Sequence, residues 1–156
     1  MDTLCVGCAV VEITPAVGIH MGGYWGRRSA ATAIGDALWA KALVFAHGEE
    51  RLALVCLDLV ALSADVVAQV RRRIEEEIGI KAAAVMVCCS HTHAGPLTLN
   101  FRGMGEVDAR YLIRVQDSAL EAVGRALAES TVATLRYARP PLQIGINRRQ
   151  MLAGIA

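Results

Sequence analysis

His91 and His93 stand one residue apart in Ser90-His91-Thr92-His93-Ala94-Gly95-Pro96. Two neutral imidazoles at that spacing can bind a metal such as zinc. Alternatively, one can bind the metal while the other handles a proton. The segment follows Ala82-Ala83-Ala84-Val85-Met86-Val87-Cys88-Cys89, an apolar run that reads as a buried strand. Gly95-Pro96 then stops regular structure. Alternation along a strand sends His91 and His93 to one face and Thr92 to the other. A strand end opening into a loop is a common place for functional side chains. The plain alternative is a pair of polar strand-end residues touching backbone or water.

A catalytic zinc usually takes three protein ligands and a water. The chain has two further histidines, His20 and His47. His47 lies in Ala46-His47-Gly48-Glu49-Glu50, which reads as an exposed hairpin turn. His20 lies in a glycine-rich loop and can approach the pair, though its spacing does not require it. Asp58, in Cys56-Leu57-Asp58-Leu59, is a carboxylate in an apolar run, so it must be paired or catalytic, because burying it alone is expensive.

The elements that position these residues follow from periodicity. Leu4 to Ile13 reads as a strand closed by Thr14-Pro15. A loop from Pro15 to about Gly35 holds Gly18, Gly22, Gly23 and Gly26 among Tyr24, Trp25, Arg27 and Arg28. Loops this long are uncommon in compact domains unless functional. Its spacing fits neither a P-loop nor a dinucleotide fingerprint. Leu38 to Ala46 and Arg51 to Leu59 form a hairpin. Ser63 caps a helix from Ala64 to Glu77, with Val66, Val67, Val70, Ile74 and Ile78 on one stripe and Gly79 ending it. Asp108 caps a second helix to about Glu129, with Leu112, Val115, Ala119, Ala122, Val123 and Leu127 inward. Strands from Thr131 to Tyr137 and Leu142 to Ile146 complete the order β-loop-β-β-α-β-α-β-β. That order predicts an α/β fold with a mixed β-sheet flanked by helices.

The chain has 156 residues, 54% hydrophobic and 20% charged, with net charge +1. One domain with a sizeable aliphatic core is expected, and disorder is not. The charge balance gives no case for nucleic acid or an anionic membrane. Arg71-Arg72-Arg73 followed by Glu75-Glu76-Glu77 reads as a solvated helix face. Five cysteines, an odd number mostly in strand-like runs, suggest no disulfide framework. Cys5-x-x-Cys8 has no second pair and sits in a strand, not at a helix start. The start lacks the basic and apolar regions of a signal peptide, and no apolar run reaches the roughly 18 residues that span a bilayer. A reduced, cytoplasmic compartment is expected.

Several elements occur in a recognisable order: Ala9-Val10-Val11-Glu12-Ile13-Thr14-Pro15, Met21-Gly22-Gly23-Tyr24, Asp36-Ala37-Leu38-Trp39-Ala40-Lys41-Ala42-Leu43-Val44, Leu54-Val55-Cys56-Leu57-Asp58-Leu59, His91-Thr92-His93-Ala94-Gly95-Pro96 and Ile146-Asn147-Arg148-Arg149. In these the chain resembles the N-terminal part of the neutral/alkaline, non-lysosomal ceramidase family, over nearly its whole length. Members of that family are zinc amidases that cleave the N-acyl bond of ceramide. The resemblance implies zinc as cofactor, with His91 as a ligand. It also implies that His93 contacts the substrate or stabilises the oxyanion, and that Arg148 lines the substrate pocket. A zinc-bound water ionises near neutral pH, and one positioned oxyanion donor supplies about 3–4 kcal/mol. Ala94 departs from the family's usual Ser. Family enzymes are several times longer, and their other zinc ligands, a second His, a Glu and a Tyr, lie beyond the position of Ala156. Residues 1–156 are therefore expected to be the opening segment of a longer catalytic domain.

Two functions are expected to compete. One is a ceramidase-like zinc amidohydrolase acting on a small N-acyl substrate such as a ceramide-like lipid, or an inactive fragment of one. The other is a non-catalytic α/β module acting by self-association or partner binding. Half of a mixed sheet leaves unpaired edges and an exposed apolar face, so a homo-oligomer is expected.

Overall fold

A two-residue turn at Gly48 and Glu49 reverses the chain and pairs β2 (Trp39–His47) with β3 (Glu50–Leu57), in register from His47↔Glu50 to Ala40↔Leu57. The computed structural model describes residues 3–146. β1 (Leu4–Glu12) lies antiparallel to β2 on its other side. β4 (Val85–Cys89) joins β3 in parallel, after the crossover through α1 (Ala64–Ile78). α2 (Ala109–Ala128) leads to β5 (Thr131–Val132), which pairs with β1. The sheet order is β4-β3-β2-β1-β5, a mixed sheet with two helices, as the alternation of periods predicts.

The helix boundaries follow the expected chemistry. The Ser63 hydroxyl accepts from the Val66 amide, and Gly79 ends α1 in the left-handed region. The Asp108 carboxylate accepts from the amides of Arg110 and Tyr111 at the start of α2. Val70 and Ile74 of α1, and Val115, Ala119, Ala122 and Val123 of α2, are buried. They meet one face of the sheet, where Ala9, Ala42 and Val55 sit side by side in register. Gly7 lies on the same face. A Cβ there would fall 1.7 Å from the Ala126 carbonyl oxygen, so α2 crosses β1 only because no side chain intervenes.

Both helices cover that one face. The other face carries Val6, Cys8 and Val10 of β1, Leu43 and Phe45 of β2, Leu52, Leu54 and Cys56 of β3, and Met86 and Cys88 of β4. None of these is fully buried. Val10 is 52% exposed and Met86 59%, so among the described residues this apolar face has no cover.

Two expectations change. β4, which leads to the histidine pair and reads as a buried strand, is an edge strand of the sheet with only Val85 fully buried. The strands expected over Thr131–Tyr137 and Leu142–Ile146 shrink to Thr131–Val132, with no regular structure over residues 133–146. Leu135, Tyr137, Leu142 and Ile144 are each at least 69% exposed, so their alternation serves no core. Pro140-Pro141 also removes two ladder donors.

Candidate active site

The chain does not leave the sheet at once when β4 ends. The Ser90 amide donates to the Leu57 carbonyl at 2.9 Å and the His91 amide to the Leu59 carbonyl at 3.0 Å. The backbone then breaks sharply, with φ of 63° at His91. A left-handed conformation is uncommon for a residue with a Cβ and costs about 1–2 kcal/mol, so the surroundings must impose it. Strand alternation therefore does not extend to His91. The two rings still meet, edge to face, with centroids 5.0 Å apart.

The His91 ring is oriented by its own environment. Its Nδ1 lies 2.8 Å from the Val60 carbonyl oxygen. A carbonyl only accepts, so Nδ1 carries the hydrogen, and in the neutral ring Nε2 keeps the lone pair. Metal-binding histidines commonly show this arrangement, with one nitrogen bonded to a backbone carbonyl and the other left to the metal. His91 is exposed and His93 half-buried.

His93 is held by the glycine-rich loop. Its ring meets Tyr24 edge to face at 5.0 Å. The Arg27 guanidinium lies 4.7 Å from the centre of the Tyr24 ring. It also donates to the His93 carbonyl at 2.9 Å and the Gly22 carbonyl at 3.3 Å. The loop is pinned along the segment after the histidines: the Gly22 amide donates to the Gly95 carbonyl, and the Leu97 amide to the His20 carbonyl. Tyr24 and Arg27 are therefore site residues that sequence reasoning did not single out. Their signal was an unusually long loop in which they stood near four glycines and, for Tyr24, the Met21-Gly22-Gly23-Tyr24 element as well.

The other candidates separate from the pair. The Asp58 carboxylate is bound by Lys41 Nζ at 2.9 and 3.1 Å and by the Trp39 amide at 3.2 Å. It is thus paired, the structural of its two expected roles. His20 Nδ1 accepts from the Glu106 amide, tying two loops together. His47 is at the hairpin turn, where it was expected. Arg148 lies outside the described residues. Cys5 and Cys8, three apart along β1, fall on opposite faces of the sheet.

Beside the pair, a cavity of about 280 Å³ is lined mainly by apolar groups, including Ile19, Met21, Ile34, Leu38, Thr92 and Pro96. Among the described residues no three His, Cys, Asp or Glu side chains gather to hold a metal ion. Two adjacent imidazoles do not by themselves fit a catalytic zinc, which takes three protein ligands. His91 fits one position of such a shell.

Comparison with solved structures gives the neutral ceramidase from Pseudomonas aeruginosa, with a TM-score of 0.70 at 23% identity, covering 85% of this chain and 22% of that one. A ceramidase complexed with C2 aligns with a TM-score of 0.69 at 22% identity and the same coverage. These likenesses establish a shared fold, and the chain spans about a fifth of the length of either protein. No curated protein sequence matches the chain. The N-terminal model of the neutral/alkaline non-lysosomal ceramidases matches residues 4–151, and the chain belongs to that family.

Proposed function

We propose that this chain forms the histidine-bearing part of a zinc-dependent amidohydrolase centre acting on the N-acyl bond of a ceramide-like lipid. The observation that carries the reading is His91. Its Nδ1 is committed to the Val60 carbonyl, which leaves Nε2 as the donor atom for a metal. Zinc in such a centre would polarise the amide carbonyl. This chain's own residues supply one ligand position at His91 and a second ring at His93, held by Tyr24 and Arg27. The apolar cavity against Thr92 and Pro96 suits the hydrocarbon part of a lipid. The remaining ligands come from outside the described residues, so no catalytic step is assigned to these side chains alone. In calorimetric titration the chain should bind zinc weakly, and His91→Ala should abolish the heat. Zinc binding that survives His91→Ala would remove His91 from the shell and overturn the reading.

A second reading has its own observation. The uncovered sheet face, with Val10, Leu52 and Met86 each at least 43% exposed, favours self-association of the chain through that face.

A further inference from the structure

One row of residues across the uncovered face takes no part in the histidine site. Val10, Lys41, Cys56 and Cys88 are register partners across β1, β2, β3 and β4. Cys56 and Cys88 are half-buried free thiols placed directly opposite each other in that row. Cys88 Sγ also lies 3.5 Å from the Val55 carbonyl oxygen.

We propose that Cys56 and Cys88 are a cross-strand dithiol that closes to a disulfide by exchange with a small-molecule disulfide of the glutathione type. Directly opposed residues on neighbouring strands are about 4.8 Å apart. That falls within the Cα separation of roughly 4.4–6.8 Å that a disulfide bridges. The other cysteines are excluded by the same geometry. Cys8 shares the face, but β2 lies between it and β3, so two strand spacings separate it from Cys56. Cys89 points to the helix side, opposite Cys88. Cys5 is on β1 and also faces the helices.

The exchange balances without any further reactant. One protein thiol loses its proton and its sulfur attacks the small disulfide, forming a mixed disulfide. The first small thiol leaves and takes up that proton. The second protein thiol then loses its proton and its sulfur attacks the mixed disulfide, expelling the second small thiol, which is protonated in turn. Two protein thiols are oxidised and one small disulfide is reduced to two thiols. Burial first, and then the neighbouring Cys88, push the Cys56 thiol above its ordinary range; Asp58 adds to this and Lys41 opposes it. The closed disulfide would fasten edge strand β4 to β3, three residues before the backbone break at His91.

The test is the whole chain incubated with excess oxidised glutathione, digested with trypsin without reduction, and sequenced by tandem mass spectrometry. The expected product is residues 52–71 joined to residues 82–102 through Cys56 and Cys88, lighter by two hydrogens and released by dithiothreitol. Cys89→Ser should keep the linked product, and Cys56→Ser and Cys88→Ser should lose it. Fragment ions from the wild-type product distinguish Cys88 from Cys89 even where a variant folds poorly. A link through Cys89, a link to Cys5 or Cys8, or glutathione adducts without any internal link would each overturn the proposal.

Discussion

A Cβ atom placed on Gly23 would fall 2.7 Å from the Cβ of His93 and 2.6 Å from its Cγ. The glycine-rich loop therefore reaches the histidine pair as bare backbone, in a left-handed conformation with φ of 98°. Gly23 leaves the space that the His93 ring occupies beside His91 and Tyr24. Gly23→Ala should push His93 away and destabilise the chain by about 1–3 kcal/mol through overpacking. At roughly 2–4 °C per kcal/mol for a chain of this size, thermal unfolding should show the loss. Ring proton shifts of His93 should move in the same variant. An unchanged melting temperature with unchanged His93 resonances would mean the loop does not seat there.

Arg27 joins the loop to the histidine segment by two donors and a ring face. Arg27→Ala removes the hydrogen bond to the half-buried His93 carbonyl. A buried acceptor left unpaired costs about 1–3 kcal/mol. Arg27→Lys keeps the charge but loses the planar fork, so it should restore only part of the loss. Limited proteolysis at Arg28 reads loop opening directly. Arg27→Ala should be cut faster than wild type, with Arg27→Lys between them. Equal rates in all three proteins would dissociate Arg27 from loop anchoring.

Much of this scaffold was legible in the chain. Ser63, Gly79 and Asp108 carry the signals that bound the two helices, because capping is local chemistry. The β2–β3 hairpin was legible for the same reason. The His91–His93 juxtaposition was expected, but its cause differs. Alternation within a strand was the argument, whereas β4 ends at Cys89 and a backbone break turns the His91 ring back to Val60. Tyr24 and Arg27 stayed hidden because 66 residues separate Arg27 from the carbonyl it holds. The last expected strands failed because alternation at Leu142 to Ile146 implies a strand only where a core receives it.

Tyr111 shows how α2 is fastened to the end of β1. Its buried hydroxyl donates to the Ile13 carbonyl at 2.9 Å. Burial holds the phenol well above its ordinary ionisation range. In the unfolded chain the phenol ionises near pH 10, whereas in the folded chain it keeps its proton. The unfolded state thus binds fewer protons above that point, and stability falls as pH rises from about 10. At neutral pH Tyr111→Phe should cost about 1 kcal/mol through the unpaired carbonyl. Above pH 10 the gap between the two proteins should narrow, as measured by urea unfolding from pH 8 to 11. A constant gap across that range would show that the Tyr111 phenol does not contribute to the alkaline loss.

The uncovered sheet face sets the last expectation. Val10, Leu52 and Met86 stand on one face with Cys8, Leu43 and Phe45, and nothing among the described residues packs on them. Contiguous exposed apolar surface of this kind drives association. A second copy of the chain presents the same face and can bury it by self-complementary contact. Purified protein should therefore elute as a dimer or larger species on size exclusion. Leu52→Lys together with Met86→Lys should shift it toward monomer, because each charge would otherwise be buried unpaired in the interface. The histidine pair lies beyond the end of β4, and these substitutions leave its held geometry alone. The chain by itself should leave a fluorescent short-chain ceramide uncut with added zinc, since its described residues fit only one position of the metal shell. A monomer that hydrolyses the ceramide would contradict both expectations, and a dimer untouched by the lysine pair would place the interface elsewhere.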